Sequence, residues 1–174
     1  MQIRKCLFVS FVIFGMFLVF TVQATSASTN GYYRFPTISG NSLIFSAEGD
    51  LWIVDIQGGV ARRLTTHPGE ETNPAISPDG KILAFSASYE GPTELYTMPI
   101  EGGLPSRLTY ESESSTVIGF SPDGQLMYTT SAYSTIPDPQ LIQIDLKTEK
   151  RSFIPLHQAS DGSYDDTMKT LYFA

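Results

Sequence analysis

The chain has 174 residues, and its 18 Asp+Glu outweigh 11 Lys+Arg to give a net charge of −7. That balance argues against nucleic acid as a partner, because its binding needs a basic face. Aromatic side chains make up 12% of the residues and charged ones 17%, a composition that folds and does not stay disordered.

In chain order, residues 1–24 read as a secretory signal peptide. Arg4 and Lys5 form a positive start, and Leu7–Val22 is almost wholly apolar. Val22-Gln23-Ala24 fits a small-residue cleavage site, which places the cut between Ala24 and Thr25; Ala27 is a second candidate. The rival is an uncleaved membrane anchor, but the apolar run falls short of the ~20 residues a span requires. Cleavage implies a secreted or periplasmic protein whose mature chain is not embedded in the membrane. Cys6 leaves with the leader, so the mature chain has no cysteine. Residues 25–31 read as a linker.

From residue 32 onward the chain repeats itself. Ser77-Pro78-Asp79-Gly80 returns 44 residues later as Ser121-Pro122-Asp123-Gly124, and Arg63-Leu64-Thr65 returns 44 residues later as Arg107-Leu108-Thr109. Asp50-Leu51-Trp52, Glu94-Leu95-Tyr96 and Gln140-Leu141-Ile142 recur at steps of 44 and 46. Within a repeat the apolar runs alternate as strands do, with Leu83 and Phe85 on one face and Ala84 and Ser86 on the other. Ser77–Gly80 reads as a turn: Pro presets φ, Asp tolerates the next position and Gly the last. It joins strand Ala75–Ser77 to strand Ile82–Ala87. Glu101-Gly102-Gly103 is a second turn, between strands Leu95–Ile100 and Leu104–Thr109.

Four short antiparallel strands in some forty-odd residues are the pattern of a propeller blade. The fold class is therefore all-β, an incomplete β-propeller of about three and a half blades. The repeats run at about 32–70, 71–116, 117–159 and 160–174, the last truncated within its second strand. The Gly-His and Trp-Asp marks of WD40 repeats are absent. A β-sandwich with regular hairpins is the alternative, though sandwiches do not repeat a turn sequence in register.

Candidate chemistry is sparse. Nucleophilic catalysis needs a serine held against a base, usually His. The two histidines, His67 and His157, fall in loops, and no Gly-x-Ser-x-Gly elbow occurs. No catalytic residue is assigned, and the substrate-binding residues are unknown. Asp161-Gly162-Ser163-Tyr164-Asp165-Asp166 has only a faint likeness to a calcium loop, without the Gly at position six or the closing Glu, and reads as plain loop acidity. Asp79 and Asp123 read as turn residues. Trp52 reads as blade packing at the head of a strand. The insert Ser131–Pro139, with Tyr133 and Pro137-Asp138-Pro139, reads as a surface loop with room to touch a partner. No metal and no cofactor are expected.

These residues resemble the N-terminal propeller of tricorn-type serine peptidases, in the secreted bacterial branch. Tyr33-Arg34-Phe35-Pro36-Thr37-Ile38-Ser39-Gly40, Glu48-Gly49-Asp50-Leu51-Trp52, Gly58–Thr65 and the two Ser-Pro-Asp-Gly turns carry the resemblance, over about residues 31–174. The Ser-Pro-Asp-Gly turn is shared with TolB-like propellers and with the propellers of prolyl-oligopeptidase-type enzymes. The resemblance implies a large parent protein that degrades peptides, assembles as a hexamer and passes peptides along propeller channels. This chain would be its non-catalytic scaffold or gating segment. A TolB-like periplasmic binding or assembly propeller, and the cap of a prolyl-oligopeptidase-type enzyme, are the alternatives. The loop Tyr110–Thr116 carries Glu111 and Glu113 but no Arg or Lys, so no family binding residue is transferred.

Overall fold

The computed structural model describes residues 31–174. The cleavage site at Ala24 and Thr25, the leader before it and nearly all of the linker lie outside the described residues. Gly31–Ala174 forms one compact unit built of strands and connecting loops.

Three four-stranded antiparallel sheets follow one another, each in simple chain order. Blade 1 is β1 (Arg34–Ser39), β2 (Ser42–Ala47), β3 (Asp50–Asp55) and β4 (Arg62–Arg63). Blade 2 is β5 (Glu71–Ile76), β6 (Ile82–Ala87), β7 (Glu94–Pro99) and β8 (Ser106–Arg107). Blade 3 is β9 (Ser115–Phe120), β10 (Leu126–Thr130), β11 (Gln140–Ile144) and β12 (Arg151–Phe153). A two-stranded sheet of β13 (Gly162–Tyr164) and β14 (Leu171–Phe173) begins a fourth. The first strands of successive blades meet, β1 with β5 and β5 with β9, as they do around the axis of a propeller.

The repeat seen in the sequence is a repeat of register. Phe45 opposes Trp52 in blade 1, and Phe85 opposes Tyr96 in blade 2. The alternation between faces has an unexpected outcome, because Leu83, Ala84, Phe85 and Ser86 are all fully buried. A blade has no wet face when it is wedged between two others. Leu83, Phe85, Tyr96 and Met98 pack toward Ile44 and Leu51 of blade 1. Ala84 and Leu95 pack toward Leu126, Tyr128, Ile142 and Ile144 of blade 3. Each such large side chain contributes about 1.5–3 kcal/mol by burial.

Three expectations need correction. The fourth strands are much shorter than Val60–Thr65 and Leu104–Thr109: only Arg62–Arg63 and Ser106–Arg107 pair with their neighbours. A short outer strand leaves little free edge to template pairing with other chains. The first strand of blade 2 is longer than Ala75–Ser77 because it starts at Glu71, with a bulge between Thr72 and Ala75. Pro74 lacks the N–H for that rung, and Asn73 takes φ +49. Phe35, before Pro36, does the same at φ +50 in blade 1. Finally, Trp52 is the third residue of β3, not its head.

Candidate functional site

The Ser-Pro-Asp-Gly turns behave as their chemistry requires. The Gly80 amide donates to Ser77 O (2.8 Å), and the Ile82 amide donates to Ser77 Oγ (2.9 Å). The Ser77 hydroxyl in turn donates to Asp79 Oδ1 (2.6 Å). Gly80 sits at φ +71, where a side chain is strained. Ser121, Asp123 and Gly124 repeat the pattern, and the Ser121 hydroxyl bond holds the Asp123 carboxyl below its usual range. Between the two turns lies a cavity of about 330 Å³ edged by Asp79, Asp123 and Asp145. Each of these carboxylates already accepts hydrogen bonds from its own turn.

The opposite ends of the blades carry the buried carboxylates Asp50, Glu71, Glu94 and Glu111. In blade 2 the Thr109 hydroxyl, fully buried, accepts from the Leu95 amide (2.9 Å) and donates to Glu94 Oε2. Arg107 reaches Glu94 Oε1 (2.9 Å), and the Glu111 amide donates to the same oxygen (2.7 Å). Glu111 then accepts from Ser115 Oγ (2.8 Å), Tyr128 Oη (3.0 Å) and Tyr133 Oη (3.1 Å) of blade 3. Arg151 lies 3.6 Å from Glu111. Burial, with the Glu111 charge behind it, pushes the Tyr128 hydroxyl far above its ordinary value. The recurring Arg-Leu-Thr is therefore a clasp that ties a blade's outer strand to the acid and amide at the start of its third strand, and Glu111 carries the link from there to blade 3.

Blade 1 repeats the clasp with Arg63, Thr65 and Asp50. The Leu51 amide donates to Thr65 Oγ1 (2.9 Å) and to Glu71 Oε2 (3.2 Å), and Arg63 pairs with Asp50. Thr65 and Tyr89 hydroxyls both donate to Glu71, which is fully buried.

The remaining candidates stay apart. His67 is exposed in the loop between blades 1 and 2; its Nδ1 accepts from the Gly69 amide (2.9 Å), and its ring lies 3.8 Å from that of Tyr89. His157 is exposed in a different loop. Among the described residues neither histidine is hydrogen-bonded to a serine or a carboxylate. Asp165 accepts from the Lys169 and Thr170 amides, so it closes a turn. No cluster of three metal-ligating side chains occurs among the described residues. Tyr133 pins its insert to the fold through Glu111 and an edge-on contact with Phe153 at 5.2 Å. The sequence reading did not pick out Glu71, and it named Glu94 and Glu111 without the role they play at the joints. The Glu94–Arg107 and Asp50–Arg63 pairs share the 44-residue period and were open to discovery, whereas Glu71 and Glu111 are 40 apart and fall off it.

Residues 30–174 match the family model of the tricorn protease N-terminal beta propeller domain. Over 70 residues the chain is 34% identical to tricorn protease homolog 1 of Streptomyces coelicolor, a match that takes in 40% of this chain and 7% of that protein. Over 55 residues it is 36% identical to the tricorn protease homolog of Saccharolobus solfataricus, covering 32% of this chain and 5% of that one. The chain thus spans a small fraction of the length of these relatives. The solved structure of the tricorn protease superposes with a TM-score of 0.68 at 26% identity, over 78% of this chain and 14% of that one. TolB from Acinetobacter baumannii gives 0.68 at 19% identity, over 82% and 37%, which is a likeness of fold alone.

Proposed function

The chain belongs to the tricorn protease N-terminal β-propeller family, and from that premise we propose that it is the scaffold and gating segment of a secreted tricorn-type serine peptidase. The observation that carries the reading is how the buried polar side chains are spent. Glu71 and Thr65 tie blade 1 to blade 2, and Glu94 and Thr109 fix the outer strand and the loop from which Glu111 reaches blade 3. Such groups fix the geometry of a ring and leave its inner strands to line whatever passes along the axis. In this reading the parent enzyme degrades peptides and is a homo-oligomer, a hexamer by family resemblance. The leader delivers it across the inner membrane, and the catalytic serine lies in another domain.

The test is direct. The purified chain, incubated with fluorogenic peptides, is expected to release no fluorophore. Turnover that disappears in His67→Ala or His157→Ala would place catalysis within this segment and overturn the reading.

A further inference from the structure

The two polar joints are alike in plan but not in charge. At the joint between blades 2 and 3, the buried carboxylates Glu94 and Glu111 face two guanidiniums, Arg107 and Arg151. At the joint between blades 1 and 2, Glu71 and Asp50 are equally buried, yet Arg63 is the guanidinium among their partners, and its side chain is 45% exposed. Arg63 is spent on Asp50 and the Thr65 carbonyl. The donors to Glu71 are all neutral: the Thr65 and Tyr89 hydroxyls and the Leu51 amide. Asp50 Oδ1 is buried without a hydrogen-bond partner. The first joint therefore holds one more negative charge than its cations balance, out of contact with water.

A buried charge without a counter-ion is expensive, and the group lowers the cost by taking up a proton. We propose that the joint between the first two blades is a proton-operated latch: one proton taken up by Glu71, beside the buried Asp50, tightens it, and release of that proton loosens it. The latch spans β3 and the loop after β4 in blade 1, and β5 and the loop after β6 in blade 2. Every charged or titratable side chain bonded at its centre is accounted for: Asp50 on β3, Arg63 on β4, Glu71 on β5 and Tyr89 after β6. The exposed His67 ring lies tilted against that of Tyr89, 3.8 Å away.

The Thr65 hydroxyl can accept as well as donate, so a Glu71 protonated on Oε2 keeps its bond to Thr65 with the direction reversed, while Oε1 goes on accepting from Tyr89. Burial first, then the like charge of Asp50, raises the Glu71 carboxyl above its ordinary 4.5, while Thr65, Tyr89 and Leu51 pull it down. With the folded value above the unfolded one, the stabilisation is fully present below 4.5 and is lost as pH rises through the folded value. Acid closes the latch, and neutral or alkaline solution eases it.

Trp52, the single tryptophan, lies beside Leu51 on β3 and reports on blade 1. The experiment follows its fluorescence through urea unfolding of the full chain, from about pH 4.5 to pH 8, in the wild type and in Glu71→Gln. The variant carries a neutral group of the same shape, so its stability relative to wild type should be greatest at pH 8 and decline steadily toward acid. A constant difference, or one that grows toward acid, overturns the latch. Tyr89→Phe gives a second reading should Glu71→Gln fail to fold. Removal of one donor from the ionised form must move the pH of the stability change upward, and an unmoved or lowered value refutes the proposal.

Discussion

Thr109→Val tests the clasp most sharply. Valine has the shape of threonine without the hydroxyl, and residue 109 is fully buried, so the packing is preserved. Two hydrogen bonds go: the one that the Leu95 amide donates to Thr109 Oγ1 (2.9 Å) and the one that the hydroxyl donates to Glu94. A buried amide left without a partner costs about 1–3 kcal/mol, and a bond to a charged group contributes about 1.5–3 kcal/mol. Glu94 keeps Arg107 and the Glu111 amide, which places the total near the lower part of that range, about 3–4 kcal/mol. Thr109→Ser keeps the hydroxyl and loses one methyl, at about 1 kcal/mol. Urea denaturation separates the two, because with a slope of about 1–3 kcal/mol per molar the midpoints differ by about 1 M or more. If Thr109→Val unfolds within about 0.5 kcal/mol of Thr109→Ser, the hydroxyl is not what holds the blade, and the clasp argument fails.

Other expectations follow from particular contacts. Gly69→Ala would place a Cβ 2.5 Å from the Ser88 carbonyl oxygen, so the loops must part; the cost should be about 1–3 kcal/mol, read as a lowered melting temperature. Asp123→Asn should destabilise by under about 1 kcal/mol at neutral pH, because the site is at the surface. Since the Ser121 hydroxyl bond holds the Asp123 carboxyl below its ordinary 3.8, the gap between variant and wild type should close as pH falls through the folded value; chemical denaturation as a function of pH measures it, and a gap that widens toward acid would contradict the assigned bond. N-terminal sequencing of the exported protein should begin at Thr25 or Ser28, and an intact Met1 in the membrane fraction would rule cleavage out.

Much of the fold was legible because the turn chemistry repeats. Pro, Asp and Gly at fixed places in Ser77–Gly80 and Ser121–Gly124 declare a turn, and a turn followed by an alternating run declares the strand that leaves it. Strand lengths were less legible. Val60–Thr65 looks like a full strand by composition, yet Arg62 and Arg63 are the residues that pair with β3. Alternation also misled on burial. A period of two says which residues share a face, but not whether a second sheet covers the other face. Ala84 and Ser86 are buried because blade 3 closes over them, a fact of tertiary structure that their own strand does not record. The bulges were readable in principle, since Phe35-Pro36 and Asn73-Pro74 stand at matching places and proline cannot give a rung to a ladder.

Blade 3 shows which part of the clasp the fold requires and which part is local. The Ile154 amide donates to Leu141 O (3.1 Å), just as the Leu108 amide donates to Leu95 O (2.8 Å) and the Leu64 amide to Leu51 O (2.7 Å). By that backbone register, Phe153-Ile154-Pro155 stands where the other blades have Arg-Leu-Thr. The guanidinium and the hydroxyl are gone, and Gln140 replaces the acid at the start of the third strand. The joint beyond is apolar in their place: Met127, Leu141, Ile154 and Ala159 pack together with Tyr164 and Leu171. The backbone bond is thus common to all three outer strands, while the charged clasp belongs to the first two. A sequence scan for Arg-Leu-Thr finds where carboxylates are buried and passes over the third outer strand entirely. It also separates the roles of the joints: an apolar joint holds at any pH, and only a joint with a buried carboxylate lacking its own cation can answer to protons. Among the described residues that condition is met between blades 1 and 2.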